Sequence, residues 1–381
     1  MLATAAPDSH GGTGSGAGGG TGGSKAKNPY RGNGMWIWYV SRSSGGDPRR
    51  IARKAHRRRI STVYIKSSDG GNAWSQFNRG LISNLKHRGL RVCAWQFVYG
   101  DRPSAEAKRG AQAVRKGADC LVIDAEASYE GRYAAADKYV TKLRSRIGKK
   151  FPTALAGFPY VDYHPGFPYS VFLGPGGARF NLPQVYWHAI GVSVGEAYKH
   201  TFIYNRVFRR PIAPIGQTYD NPPKRQLQHF RKLAINYRFP GVSWWDWQET
   251  SRAEWKTLGN KISHGVKGAT RPTKYPTLSH GSRGDLVVWA QEHLKGSGES
   301  LRINGVYNAK TVKRTKHFQR SQGLAADGKI GSATWRRLLR ETPKMVDWSR
   351  RSHGKAGSSA AAPRSASLPA IADEIPPSAR R

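Results

Sequence analysis

The sequence predicts an α/β chain, a (β/α)8 barrel of the TIM type followed by a small all-α three-helix domain. Three observations carry that expectation. Eight short β-type runs recur between residues 34 and 248, most of them separated by 20 to 30 residues with helix-like stretches. Strand alternating with helix at that spacing means parallel pairing through crossovers. No glycine-rich phosphate loop follows the first run, so a closed barrel fits better than an open doubly wound sheet. Finally, residues 281–340 hold two near-copies of one turn-and-helix unit.

Taken in order, residues 1–29 are mostly Gly, Ser, Thr and Ala, which bury no core and read as a disordered segment. Met1 to Pro7 resembles the small-residue end of a signal peptide, but a basic n-region and an apolar h-region are missing. A start codon placed too far downstream is the preferred explanation, export by another route the other. The barrel is expected over 30–262, with β-type runs at 35–40, 62–66, 91–96, 120–124, 153–158, 182–187, 212–217 and 241–246. Helical patterning fills 48–59, 78–88 and 133–147 between them. Cys93 and Cys120 fall on successive runs and neither has a cysteine at metal spacing. Two buried small hydrophobes are expected rather than a disulfide, which is disfavoured between adjacent strands.

In such barrels the chemistry sits at the C-terminal ends of the strands. Those ends offer Lys66 and Asp69, Gln96, Asp124 and Glu126, Tyr160 and Asp162, Tyr186, Gln217 and Tyr219, then Trp244 and Asp246. Aromatic rings stack on pyranose faces, while amides and acids bind hydroxyls, so the set reads as a sugar site. Its sharpest feature is Asp124-Ala125-Glu126 after the apolar Leu121-Val122-Ile123. Residues i and i+2 of a strand share a face, so both carboxylates aim into the barrel mouth. Close like charges raise one pKa, which suits a general acid. Glu126 is then the candidate acid, and Asp124 the group that stabilises developing positive charge. Two acids neutralised by neighbouring Arg and Lys is the alternative reading.

Together these runs resemble the barrel lysozymes of glycoside hydrolase family 25. Their Lys-x-x-(Glu/Asp)-Gly motif on the second strand is matched by Lys66 to Gly70, and their Asp-x-Glu by Asp124 and Glu126. Their tryptophan-rich last strand is loosely matched by Trp244 to Gln248. The resemblance implies glycan hydrolysis. One departure stands against it: the family's first-strand aspartate has no counterpart in 36–41, where Asp246 or Asp162 would have to fill the space.

After a linker at 263–271, residues 272–341 form the second domain. Apolar Leu286, Val287, Trp289 and Leu294, then Val312, Thr315, Phe318 and Leu324, follow helical spacing. Asn304-Gly305 and Asp327-Gly328 make two similar turns, each followed by a helix-capping threonine, Thr311 and Thr334. With Phe318-Gln319, Gly323-Leu324 and Thr334-Trp335 in register, this unit resembles the peptidoglycan-binding domain of cell-wall hydrolases. Phe318 and Trp335 lie on apolar helix faces and are assigned to its core. Residues 342–381, rich in Ser, Ala, Pro and Arg, read as a disordered tail.

The net charge of +39 implies a polyanionic partner or surface. No zinc-finger, helix-turn-helix, RNP-like or basic-zipper pattern accompanies it, so specific nucleic-acid binding is not expected. Anionic wall polymers would attract the same surface. No apolar run approaches the roughly 18 residues of a membrane span. His164, His188 and Asp162 lack metalloenzyme spacing, no G-x-S-x-G elbow frames a serine, and no metal or cofactor is expected. The sequence thus reads as a monomeric, wall-associated or extracellular peptidoglycan hydrolase of muramidase type. A peptidoglycan-binding protein with a degenerate barrel is the alternative.

Overall fold

The computed structural model describes residues 28–351. The signal-like start lies outside them, as do the parts of the two terminal segments at 1–27 and 352–381. The strands are β1 (Gly32–Ile37), β2 (Thr62–Asp69), β3 (Asn72–Ala73), β4 (Arg91–Val98), β5 (Cys120–Ala125), β6 (Thr153–Gly157), β7 (Phe180–Val185), β8 (Ile215–Gln217) and β9 (Gly241–Trp245). β1 pairs in parallel with both β2 and β9, which closes an eight-stranded parallel barrel. β3 is a short antiparallel addition that folds back on the end of β2.

The helices between the strands start where the sequence supplies capping chemistry. Asp47 caps α1 (Pro48–Arg57), its carboxylate accepting from Arg49 N, and Pro48 sits where no N–H is needed. Asn78 caps α2 (Arg79–His87) in the same way. The outer layer continues with α3 (Pro103–Arg115), α4 (Tyr133–Ile147), the short α5 (Tyr169–Leu173) and α6 (Trp187–Ile190), α7 (Val194–Asn205), α8 (Lys224–Asn236) and α9 (Arg252–Leu258). α7 and α9 both open with a reciprocal capping box, Ser193/Glu196 and Ser251/Glu254.

Strand alternation divides the core in two. One set of side chains packs outward on the helices, among them Met35, Ile37, Leu121, Ile123 and Trp244. The other fills the barrel, among them Trp36, Tyr64, Trp95, Val122, Ala154, Leu182 and Trp245. Cys93 and Cys120 belong to the inner set, and they form a disulfide with a Cα–Cα distance of 4.6 Å. The expectation of two unbridged cysteines is therefore corrected. The parallel register places Cys93 directly opposite Cys120 on the same face, within bridging distance.

The C-terminal unit contains α10 (Asp285–Gly296), α11 (Ala309–Ser321) and α12 (Ser332–Leu338). Its two turns are held by the same device used twice. Gln291 Oε1 accepts from Asn304 N and Gly305 N, while its Nε2 donates to Val306 O and Thr311 Oγ1. Gln319 Oε1 accepts from Gly328 N, while its Nε2 donates to Lys329 O and Thr334 Oγ1. Thr311 and Thr334 therefore do not cap. Asn308 and Gly331 occupy the cap positions, and each threonine sits one turn in as an acceptor for the glutamine. Phe318 and Trp335 are buried.

This unit packs on the barrel. Every residue of α10 from Asp285 to Leu294 is buried. Asp285 accepts from Ser170 N (2.8 Å) and Ser170 Oγ (2.6 Å), and its own N–H donates to Pro165 O (2.7 Å). Trp289 Nε1 donates to Val207 O, and the Arg209 guanidinium to Leu339 O. The segment 263–271 is tied down as well, since Asn236 Nδ2 donates to Val266 O and Ala269 O. Residues 342–351, read from sequence as tail, include α13 (Trp348–Arg351), with Trp348 packed on Tyr133 and Ser349 N donating to Asp137. Apolar contact with the barrel outweighs the polar composition of that stretch.

Burial pushes the Asp285 carboxyl up to about 7, against the opposing hydrogen bonds from Ser170 and Tyr133. A carboxyl with a raised folded pKa costs stability as pH rises from its unfolded value, about 4, through its folded one. The full chain should unfold in one transition whose midpoint falls between pH 4 and about 7. Asp285→Asn should flatten that dependence. Asp285→Ala, which strands two buried donors on Ser170 at about 1–3 kcal/mol each, should lower the midpoint of the whole transition. Calorimetry that resolves two transitions, only one of them moved by Asp285→Ala, would show two independent units.

Candidate active site

At the C-terminal ends of the strands the barrel opens into a cavity. Its wall is tryptophan. Trp36 and Trp38 follow each other at i, i+2 along β1 and its extension, and Trp95 and Trp245 come from β4 and β9. Ring centroids lie 5.6 Å apart for Trp36–Trp95, 5.6 Å for Trp36–Trp245 and 5.3 Å for Trp95–Trp245. These tilted and edge-on contacts suit the aromatic quadrupole and fix the rings in place.

Lys66 of β2 is buried against this wall. Its Nζ lies 4.8 Å from the Trp38 centroid, 4.5 Å from Trp74 and 4.9 Å from Trp95. It pairs with Asp69 Oδ2 at 2.6 Å, and Tyr99 OH donates to Asp69 Oδ1 at 2.8 Å. The ammonium is thus held by one carboxylate and three ring faces, which together replace its lost hydration.

Across the cavity stands the acid pair. Alternation runs on past the end of β5, because Glu126 keeps an extended backbone. Asp124 and Glu126 therefore both face the cavity while Ala125 packs in the outer core. One amide nitrogen bridges them: Gln184 Nε2 donates to Asp124 Oδ1 at 3.0 Å and to Glu126 Oε1 at 2.9 Å. Asp124 is the deeper of the two, 5% exposed. Burial holds its carboxyl well above the usual range, the Glu126 charge adds to that, and Lys66 and the Gln184 bond oppose it. Such a pair titrates as a unit and retains a proton at a pH where an ordinary carboxyl has lost it. Tyr186 closes this side, edge-on to Tyr219 at 5.5 Å, its phenol pushed up by burial.

Of the residues singled out from sequence, Lys66, Asp69, Asp124, Glu126 and Tyr186 line the cavity, and Tyr219 supports Tyr186 from behind. The others are placed elsewhere. Gln96 points into the helix layer, bonding Glu106 O and Tyr139 OH. Trp244 faces outward onto Phe230 and bonds Asn33, leaving the inner face to Trp245. Gln217 accepts from His188 N and Ala189 N and so pins the start of α6. Asp246 is buried in the turn after β9, accepting from Glu249 N, with its carboxyl raised to about 7 by burial. Tyr160 stacks on His200, which pairs with Asp162 at 2.7 Å, off the cavity. Neither Asp246 nor Asp162 fills the first-strand position. The acids that line the cavity among the described residues are Asp69, Asp124 and Glu126.

Sequence reasoning did not single out Trp36, Trp38, Trp95, Phe97, Tyr99, Gln184, Ile215 or Trp245 as cavity residues, although Gln184 and Trp245 lie in strand ends that read as a sugar site. Alternation within a strand joins Trp36 to Trp38, and Trp95 to Phe97 and Tyr99, and that signal is present in the sequence. Which alternate set faces inward needed the register, in which Phe97 lies opposite Asp124. His164 pairs with Glu130 and His188 with Asp220, and no group of three or more metal-binding side chains occurs among the described residues.

Residues 283–338 match the family model described as "Putative peptidoglycan binding domain". A search of curated proteins finds no match for the chain. Among solved structures, this chain is similar to a peptidoglycan-binding protein from Clostridioides difficile crystallised with glutamine hydroxamate. Identity is 37% over 17% of this chain and 41% of that one, with a TM-score of 0.17. The chain therefore spans less than half the length of that relative. It is also similar to a chitinase from Chromobacterium violaceum (12% identity, 60% of this chain, 98% of that one, TM-score 0.47). A third is the spore cortex-lytic enzyme of Bacillus cereus (10% identity, 62% of this chain, 76% of that one, TM-score 0.43). The fold is a closed parallel α/β barrel joined to a helical peptidoglycan-binding domain.

If Asp124 is buried against a like charge, removing its charge relieves a native-state penalty. That penalty is absent below the unfolded carboxyl value, about 4, and grows as pH rises toward the folded value. Asp124→Asn should therefore unfold at a temperature above the parent at pH 8 and equal to it at pH 3.5. A lower midpoint at pH 8 would mean that the Asp124 carboxylate is net stabilising.

Proposed function

We propose that the barrel hydrolyses glycosidic bonds of peptidoglycan, with Glu126 as the proton donor and Asp124 as its charged partner. The observation that carries this reading is the acid pair, bridged by Gln184 at 3.0 and 2.9 Å and facing a tryptophan wall in one cavity. Glu126 stands nearer the opening and is placed to protonate a bridging oxygen. Burial favours the pair's one proton on Asp124. Its transfer to Glu126 as substrate binds supplies that step and leaves Asp124 as the carboxylate that stabilises positive charge developing at the sugar carbon or at a neighbouring acetamido group. The tryptophans bind pyranose faces and exclude water, which strengthens every charge interaction inside.

The match of residues 283–338 to a peptidoglycan-binding domain model supports peptidoglycan as the substrate. A disulfide between Cys93 and Cys120 accords with an oxidising compartment outside the cytoplasm, where such a substrate is found. Muramidase specificity rests on the Lys66–Gly70 and Asp124–Glu126 motifs alone. The absent first-strand carboxylate favours the second reading, a barrel that binds glycan without cutting it.

Purified protein should release reducing ends from peptidoglycan. Glu126→Gln should lower kcat by about 10²- to 10⁴-fold, the usual worth of a general acid, with binding largely retained. Release of free amino groups without reducing ends would identify an amidase or peptidase instead. Binding to sacculi with neither product would favour the non-catalytic reading, and undiminished turnover in Glu126→Gln would remove Glu126 from the mechanism.

A further inference from the structure

The outer face of α1 carries a charge pattern that the fold does not need. Its apolar side, Ile51, Ala52 and Ala55, is buried on the barrel. The opposite side exposes Arg49, Arg53 and Arg57 at i, i+4 and i+8, with Arg50 and Arg59 beside them. Residues three and four apart on a helix are neighbours, and like charges at that spacing destabilise it by a few tenths of a kcal/mol per pair. At about 1.5 Å rise per residue the stripe places a guanidinium roughly every 6 Å. Among the described ion pairs, α1 has only Arg50 with Asp47, at 3.4 Å.

The flanking helices extend the same surface. α2 exposes Arg79 and Lys86, and α9 exposes Arg252 and Lys256. Within 47–59, 79–88 and 252–258 the carboxylates are Asp47 and Glu254, and Glu254 is buried in its capping box. Lys86 is answered by Asp119 at 2.6 Å, so the repulsion is greatest at α1. Crowding shows in the titration of its neighbours. Lys54 is lowered by burial and then by Arg58, and Arg231 is lowered to about 10 by burial and then by Arg59.

From this surface we infer that the α9–α1–α2 flank binds a linear polyanion with phosphodiesters in its main chain, of the kind laid alongside peptidoglycan in a cell wall. The inference rests on the wall reading given above, but not on catalysis. A repeating anion offsets the repulsion of a repeating cation, and planar guanidinium forks suit phosphate oxygens. The cavity is a poor host for such a chain, because Asp69, Asp124 and Glu126 face it against Lys66 alone. An anionic membrane fits less well, since the apolar side of α1 is spent on the barrel and cannot enter lipid.

The test uses the full chain and poly(glycerol phosphate). Substituting Arg49, Arg53 and Arg57 together by Gln should weaken binding at least tenfold in 0.1 M salt. It should also reduce the slope of log affinity on log salt by about two, at ~0.7 per released counterion for a flexible chain. A control replaces the exposed Lys310, Lys313 and Arg320 of α11 by Gln, removing the same charge from the other domain. It should change affinity by less than threefold. Equal losses in both variants would reduce the effect to net charge and overturn the inference, as would tighter binding to duplex DNA or to anionic vesicles than to the polymer. Arg53→Gln alone, expected to cost two- to fourfold, serves if the triple variant does not fold. Wild-type binding to the polymer without release of reducing ends from peptidoglycan would leave this surface standing and remove the hydrolase reading.

Discussion

Everything at the mouth of this barrel depends on closure, which is set by β1 pairing with β2 on one side and β9 on the other. A closed sheet has no edge, so each strand must send alternate side chains inward, and the interior has to be filled. Here the fill is largely aromatic, with Trp36, Trp95 and Trp245 toward the mouth and Tyr30, Tyr64 and Phe180 toward the other end, and Ala154, Ala156 and the Cys93–Cys120 bridge take the smaller places among them. The same alternation that packs Val122 inside delivers Asp124 and then Glu126 to the cavity. Packing and chemistry are consecutive positions on one strand.

Closure also explains which parts of the molecule were legible in the sequence. The eight β-type runs each correspond to a strand, because parallel barrel strands are buried on both faces and read as unbroken apolar stretches. That feature identifies a strand and hides its phase. In 244–245 both residues are tryptophan, so nothing in the pair says which one faces inward, and Trp244 was chosen where Trp245 lines the cavity. Gln96 and Gln217 show the converse error. Both lie at strand ends, where a polar side chain looks catalytic, yet each is buried on the helix side bonding Glu106 O or the backbone of α6. Where the phase was marked by chemistry, as at Asp124-Ala125-Glu126, the inward face was readable without coordinates. The disulfide needed register, a relation between two strands that no single strand encodes.

Inside the cavity the charges constrain one another. Lys66 is held by Asp69 and by three tryptophans, and that arrangement leaves the Asp124–Glu126 pair only partly neutralised. Burial raises Asp124, Glu126 raises it further, and Lys66 draws it down. Gln184 cannot accept a proton, so its two bonds fix distance and leave the proton on the acids. An amide at this position keeps the carboxylates close without salt-bridging them, where an Arg or Lys would have discharged the pair.

The helical unit changes character once α10 is seen to be buried along its length. From sequence it resembled a free-standing wall anchor on a linker, whose benefit would be effective concentration set by linker length. Asp285 on Ser170, Trp289 on Val207 and the packing of Trp348 on Tyr133 remove that freedom. On the proposed reading a docked unit still raises local concentration and adds orientation, because a wall strand bound to it would meet the barrel from one direction. The docking contacts fall on α4, at Tyr133 and Asp137, and on Pro165, Ser170, Val207 and Arg209, away from α1 and α2, so none of the described residues of this unit covers the arginine-bearing flank. Fixed orientation has a cost: a strand that reaches the cavity from another direction cannot be accommodated by swinging the anchor. On the proposed reading, the docked unit therefore suits a substrate whose strands approach from one direction.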